Sequence, residues 1–122
     1  MQLGTLEKTV MQHLWTQYPK THFTVRAITS DMNARMKKTY AYNTILTVIT
    51  HLFEKKLLVR RKVGKTFHYR VKVSKEDFVS RASRAVIAQM QRDYGNLALA
   101  HFANALEDVD PTLRAKIKKK TS

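Results

Sequence analysis

The chain has no cysteine. That excludes disulfides, thiolate metal sites and thiol redox sensing, and is compatible with a reducing compartment. Acidic residues are scarce: 9 Asp and Glu stand against 23 Lys and Arg, for a formal net charge of +14 and a pI near 10.3. Glycine (3) and proline (2) are few, and no low-complexity linker or internal repeat divides the 122 residues. No apolar run approaches the ~18 residues of a membrane span. The N-terminal MQLGTLEKTV lacks the basic and apolar regions of a signal peptide. The expectation is a soluble cytoplasmic protein without membrane insertion.

What is present is unevenly placed. Hydrophobic residues make up 43% of the chain, enough for one thin core and an appendage. Residues 1–73 hold 14 bases and 3 acids, whereas residues 74–122 hold 9 bases and 6 acids. An excess of this size, concentrated in one half, favours a polyanionic partner, most often nucleic acid.

The segment Ala41–Lys56, AYNTILTVITHLFEKK, reads as a helix. Ile45, Val48, Ile49, Leu52 and Phe53 fall at i, i+3, i+4, i+7 and i+8, the spacing of one apolar face. The opposite face collects Asn43, Thr44, Thr47, Thr50, His51 and Glu54. Short hydroxyls and an amide can approach a surface closely and bond it directly, and a threonine methyl can meet a thymine methyl. The pattern suits a recognition helix in a DNA major groove; the blander reading is a solvated Thr-rich helix.

Upstream, Leu3, Leu6, Val10, Met11, Leu14 and Trp15 predict a helix over 4–17, stopped by Tyr18-Pro19. Lys20–Phe23 reads as a connector. Thr24 offers an N-cap for a second helix reaching about Met36. Lys37-Lys38-Thr39-Tyr40 is then a basic turn. Three helices so connected follow the helix-turn-helix plan. Downstream the period becomes two: Leu57–Val63 and Thr66–Val73 meet at Gly64-Lys65 as a hairpin. Its cations, Arg60, Arg61, Lys62, Lys65, Arg70 and Lys72, make it a basic wing suited to phosphates; a charged hairpin edge kept from aggregating is the alternative.

Ser74-Lys75-Glu76-Asp77 has capping-box form and opens a helix carrying Phe78, Val79, Ala82, Ala85, Val86 and Met90. After Tyr94-Gly95-Asn96, a second apolar helix carries Leu97, Leu99, Phe102 and Leu106. Asp110-Pro111 would start a short third one with Leu113 and Ile117. Such small helices bury little alone, so they either pack back on the winged domain or pair with a second copy, and pairing is the reading adopted. The reading is mostly α with a small β-hairpin: a winged helix-turn-helix DNA-binding domain over 1–73 and a helical dimerisation domain over 74–122. Phe78, Val79, Ala82, Val86, Leu97, Leu99, Phe102 and Leu106 are its expected dimer contacts, since two-fold dimers match palindromic half-sites.

The chain resembles the BlaI/MecI family of repressors, the penicillinase-repressor type. The residues that carry the resemblance are Glu7-x-x-Val10-Met11-x-x-Leu14-Trp15, Thr44-Ile45-x-Thr47-Val48-x-x-x-Leu52, Leu57-Leu58-Val59-Arg60-Arg61 and Gly64-Lys65-Thr66-Phe67-His68-Tyr69. The resemblance implies a homodimer on an inverted-repeat operator in double-stranded DNA. It also implies a membrane-bound sensor protease as partner, whose signal leads to cleavage in the dimerisation helices near His101-Phe102. Bases would be met by Asn43, Thr44 and Thr47, with Thr50 and His51 on the same face. Phosphates would be met by Lys37, Lys38, Tyr40, Tyr42, Lys55, Arg60, Arg61, Lys62, Lys65 and Arg70. The chain departs from the family pattern in Tyr42-Asn43 before the first threonine of the recognition helix, in Lys56 where glycine is common, and in lacking an Asn-Phe pair at His101-Phe102. Without cysteine it also lacks the thiolate cluster of the copper-responsive relatives.

No enzyme signal accompanies these features. His13, His22, His51, His68 and His101 show no metal spacing, and no Gly-flanked nucleophile turn occurs. No catalytic residue, metal or cofactor is expected. Two other functions stand as alternatives: nonspecific binding of RNA or nucleoid DNA through the same charge, and a protein–protein adaptor using the wing as an edge strand.

Overall fold

The computed structural model describes residues 2–109 and Thr112. The helix expected after Asp110-Pro111 lies outside these residues. The chain divides into two compact units, Met1–Val79 and Ser80–Ser122.

The first unit begins with α1 (Thr5–Gln17). Its N-terminus is closed by the Gly4 N–H, which donates to the Glu7 carboxylate at 2.8 Å. α2 (Val25–Met36) starts where Thr24 accepts from the Ala27 N–H, as the capping pattern predicts. α3 (Tyr42–Glu54) is the helix read from AYNTILTVITHLFEKK, a residue or two shorter at each end. It packs on both α1 and α2. Ile45, Val48, Ile49 and Leu52 point into a core shared with Val10, Met11, Leu14, Ile28 and Met32.

β1 (Leu58–Val63) and β2 (Thr66–Val71) form the expected antiparallel hairpin, with Leu58 opposite Val71 and Val63 opposite Thr66. Gly64 takes φ 64° at the first of two turn residues, where this kind of hairpin turn wants glycine. One feature differs from the sequence reading. Phe23, in the segment read as a connector, exchanges two backbone hydrogen bonds with Tyr69, at 2.8 and 2.9 Å. It acts as a one-residue third strand on the far side of β2. An isolated bridge has no period, so a periodicity reading passes over it.

A polar node locks α1 to α2. The Asp31 carboxylate binds His13 Nε2 at 2.9 Å, Arg35 Nε at 2.9 Å and the Tyr18 hydroxyl at 3.1 Å. Burial would raise the Asp31 pKa, but the bonds from Arg35, Tyr18 and His13 outweigh it and hold the carboxyl below its ordinary range.

α4 (Lys75–Tyr94) opens on a Ser74 cap, whose Oγ accepts from the Asp77 N–H at 3.1 Å. Its first turn still belongs to the first unit. Phe78 meets Trp15 ring to ring at 5.3 Å, and the Trp15 indole N–H donates to the Val73 carbonyl at 2.9 Å. The boundary between the units therefore falls inside α4, a few residues past the expected break at 73/74, and Phe78 is used within the first unit. The second unit continues α4 and adds α5 (Asn96–Glu107), which starts after Gly95 at φ 73°. No residue of either α4 or α5 is fully buried.

Candidate nucleic-acid interface

α3 presents the polar face the sequence predicts. Asn43, Thr44, Thr47 and His51 are exposed and Thr50 is half-buried. Two threonine hydroxyls are already engaged: Thr47 Oγ1 donates to the Asn43 carbonyl at 2.9 Å, and Thr50 Oγ1 to the Leu46 carbonyl at 2.8 Å. With its proton turned back along the helix, Thr47 offers outward its methyl and an acceptor lone pair. Those suit a thymine methyl or a base amino group. No side chain caps α3 at Ala41; the Thr44 N–H bonds the Ala41 carbonyl at 3.1 Å, which leaves the N–H groups of Tyr42 and Asn43 for an anion.

The elements around α3 fix its entry and exit. Asn33 clasps the basic turn, its amide donating to the Tyr40 carbonyl at 3.0 Å and its carbonyl oxygen accepting from the Tyr40 N–H at 2.7 Å. Lys37, at φ 50°, and Lys38 stand exposed beside this clasp. Tyr40 is half-buried. Tyr42 is exposed, with the Arg26 guanidinium 5.5 Å from its ring centroid. Arg26 thus joins the first turns of α2 and α3. It was not singled out from sequence, where the signal would have been a cation in the first turn of the helix preceding α3.

At the exit, the Leu57 N–H reaches the Leu52 carbonyl at 3.0 Å and the Lys56 N–H reaches the Phe53 carbonyl at 2.9 Å. This is the Schellman pattern, and Lys56 supplies its left-handed residue at φ 66° where glycine is usual. The departure at Lys56 therefore keeps the shape of the exit, at a cost in backbone strain. Lys55, expected at a phosphate, is held instead by Glu7. Its ammonium lies 2.8 Å from both carboxylate oxygens and 3.2 Å from the Gln2 carbonyl. Those bonds, with the Gly4 N–H and the nearby His51, keep the Glu7 carboxyl below its ordinary value despite some desolvation.

The hairpin register sorts the wing cations onto two faces. Arg60 and Lys62 share a face with Phe67 and the buried Tyr69. Arg61 and Arg70 lie on the other face, with His68. His22, next to the Phe23 bridge, faces this second group. Slight desolvation and the charges of Arg61 and Arg70, with His68, hold its pKa below the ordinary value. Lys65 stands exposed at the tip. Arg60 meets two rings, its Cζ 4.0 Å from the centroid of Phe53 and 4.1 Å from that of Phe67.

The pattern of the penicillinase repressor family matches residues 3–122. The chain belongs to that family. The transcriptional regulator BlaI of Mycobacterium tuberculosis, in two strains, is 30% identical over 117 residues, covering 93% of this chain and 81% of the relative. The solution structure of the DNA-binding domain of the repressor BlaI superposes with a TM-score of 0.51 at 22% identity, over 62% of this chain and 87% of that one. The complex structure of hsRosR-S4 superposes at 0.53 with 16% identity, over 85% of this chain and 92% of that one. These likenesses agree with the winged-helix fold. In this penicillinase repressor family chain, no group of three or more His, Asp or Glu among the described residues could hold a metal, and no described helix is long and apolar enough to cross a membrane.

Apart from Phe78, the residues expected at a dimer contact are exposed or half-buried in the single chain. Val79, at the end of the first unit, is 49% exposed, Val86 56% and Leu97 69%. Ala82, Leu99, Phe102 and Leu106 are half-buried. His101 and Phe102 sit in the middle of α5, so the bond between them is inside a hydrogen-bonded helix.

Proposed function

We propose that this chain is a DNA-binding transcriptional repressor that acts as a homodimer on an inverted-repeat operator. The observation that carries the reading is the exposed Asn43–Thr44–Thr47–His51 face of α3, flanked by Lys37 and Lys38 on one side and by the cationic wing on the other. Arg26, Tyr42 and the open N-terminus of α3 add anion contacts beside it. Membership of a family of repressors, and relatives named as regulators, support the same reading. The uncovered apolar residues of α4 and α5, Val86 and Leu97 among them, support pairing with a second copy.

Relief of repression is proposed to act on the same helices. Cleavage near His101-Phe102 would cut the pairing helices and reduce two linked half-site contacts to one. Because that bond is helical, a protease needs α5 opened locally first. A membrane-bound sensor protease is the proposed source of the signal.

The test is a footprint on the DNA flanking the gene, read with the solution mass of the chain. A two-fold-symmetric footprint and a dimer mass are expected. Thr47→Ala should lose about 1–3 kcal/mol on the operator and relax preference at one base position. If wild type and Thr47→Ala discriminate operator from random duplex equally, specific reading by this helix is wrong and the nonspecific nucleic-acid reading takes its place.

A further inference from the structure

Phe67 presents a puzzle in the winged domain. The core ends at Tyr69, which is 2% exposed, yet the next residue on the same face of β2, Phe67, is an aromatic ring 38% exposed. Burial in the core does not account for it. Its neighbours do: the guanidinium carbon of Arg60 lies over its ring, 4.1 Å from the centroid, and over the ring of Phe53, 4.0 Å from that centroid. The three residues come from three elements, α3, β1 and β2.

The backbone favours this arrangement. Both the N–H and the C=O of Tyr69 bond to Phe23, so Arg60 and Tyr69 form the non-hydrogen-bonded kind of pair on the β1 side, where side chains come closest. Phe67 is the diagonal neighbour two residues along, within reach of a long side chain. On α3, Phe53 follows Thr50 by three residues. It therefore stands on the flank of the helix between the buried face and the polar face. The clamped guanidinium is placed at the junction of α3 and the wing.

Stacking engages the π-faces of a guanidinium and leaves its N–H edge outside the sandwich. That edge is the part that binds a phosphate, in a bidentate fork. A free arginine must give up rotamer freedom to make such a contact, and one already held by two rings has given it up beforehand. Lys62, 5.9 Å from the Phe67 centroid, has a point charge and no plane to stack. It is a looser contributor to the same face.

We infer that Phe53 and Phe67 are positioning residues that hold Arg60 as a pre-set phosphate anchor at the edge of the recognition helix. The inference rests on the DNA-binding reading above and adds to it a division of labour within the wing.

A double-mutant cycle tests it, using the full chain and one duplex of fixed arbitrary sequence, because a phosphate contact is independent of sequence. Arg60→Gln should weaken binding about ten-fold or more and reduce the slope of log K against log salt by about 1. Phe67→Leu should weaken binding several-fold while leaving the slope unchanged, because no charge is lost. In the Arg60→Gln background Phe67→Leu should have no further effect. Phe67→Trp should restore affinity, and Arg60→Lys should behave like Phe67→Leu, charge kept and clamp lost.

Equal effects of Phe67→Leu in the two backgrounds overturn the clamp, as does an unchanged salt slope in Arg60→Gln. If Phe67→Leu does not fold, the comparison of Arg60→Lys with wild type decides: equal affinity overturns the inference. A wild-type chain that fails to bind the duplex at all sinks the DNA reading as well. Binding by wild type with an additive cycle sinks only the clamp.

Discussion

The two units bury their apolar residues very differently. The winged unit encloses fourteen hydrophobic residues, several of them at 0% exposure. Its polar node at Asp31 is fully bonded. In the other unit α4 and α5 carry a comparable run of alanines, leucines and valines and enclose none of them. Both stretches show helical periodicity in the sequence. Periodicity therefore tells which face is apolar, and leaves open whether the same chain covers it. The winged unit is a finished fold, and the helices after it leave their apolar faces uncovered in the single chain.

The strongest test of that contrast pairs one substitution in each unit. Ile49→Ala, at a fully enclosed site, should cost about 2–5 kcal/mol in urea denaturation. Val86→Ala should cost under about 0.5 kcal/mol at concentrations that keep the chain monomeric. Under the proposed pairing its cost should grow with protein concentration, because a second copy would bind only the folded form. Equal costs at every dilution would erase the distinction between the units.

Next in size, Asp31→Asn should destabilise the winged unit by about 1–3 kcal/mol, since it leaves His13 facing a weaker partner. The pH dependence follows from two carboxyls. Asp31 and Glu7 are both held below their ordinary values of 3.8 and 4.5. Between the folded and unfolded pKa values the unfolded chain binds more protons, so stability rises with pH there. The contribution is complete above about pH 5 and is lost as acid titrates the folded carboxyls. Thermal melts of wild type should drop below about pH 4, and Asp31→Asn should flatten that drop.

The smallest effect sharpens the picture of the recognition helix. Lys56→Gly should raise the stability of the winged unit by about 0.5–1 kcal/mol by relieving a left-handed side-chain conformation. A loss of stability would mean that contacts of the lysine outweigh that strain.

Much of the fold could be read in the residues themselves. The three helices, the hairpin and its turn at Gly64 follow from period, capping and turn chemistry, and the exposed threonines of α3 from its wheel. What escaped depends on long-range geometry. Lys55 and Glu7 are 48 residues apart, and nothing in either local pattern announces the pair. The Arg60 sandwich joins a helix to two strands, so no single period contains it. Lys56 breaks the expectation that a left-handed exit needs glycine. Phe78 reads as part of an apolar helix face, and only its packing on Trp15 assigns it to the winged unit.

Tyr69 has a consequence for how this wing can change. Its ring is sealed in and its backbone is pinned by Phe23, so a slide of one residue along the hairpin would drive an aromatic into water and turn Arg60 to the opposite side. The far end, at Gly64-Lys65, has no such anchor. Lengthening or shortening should be tolerated at that loop, which can alter its reach while the inner end of the flap, and the cation mounted there, stays in place.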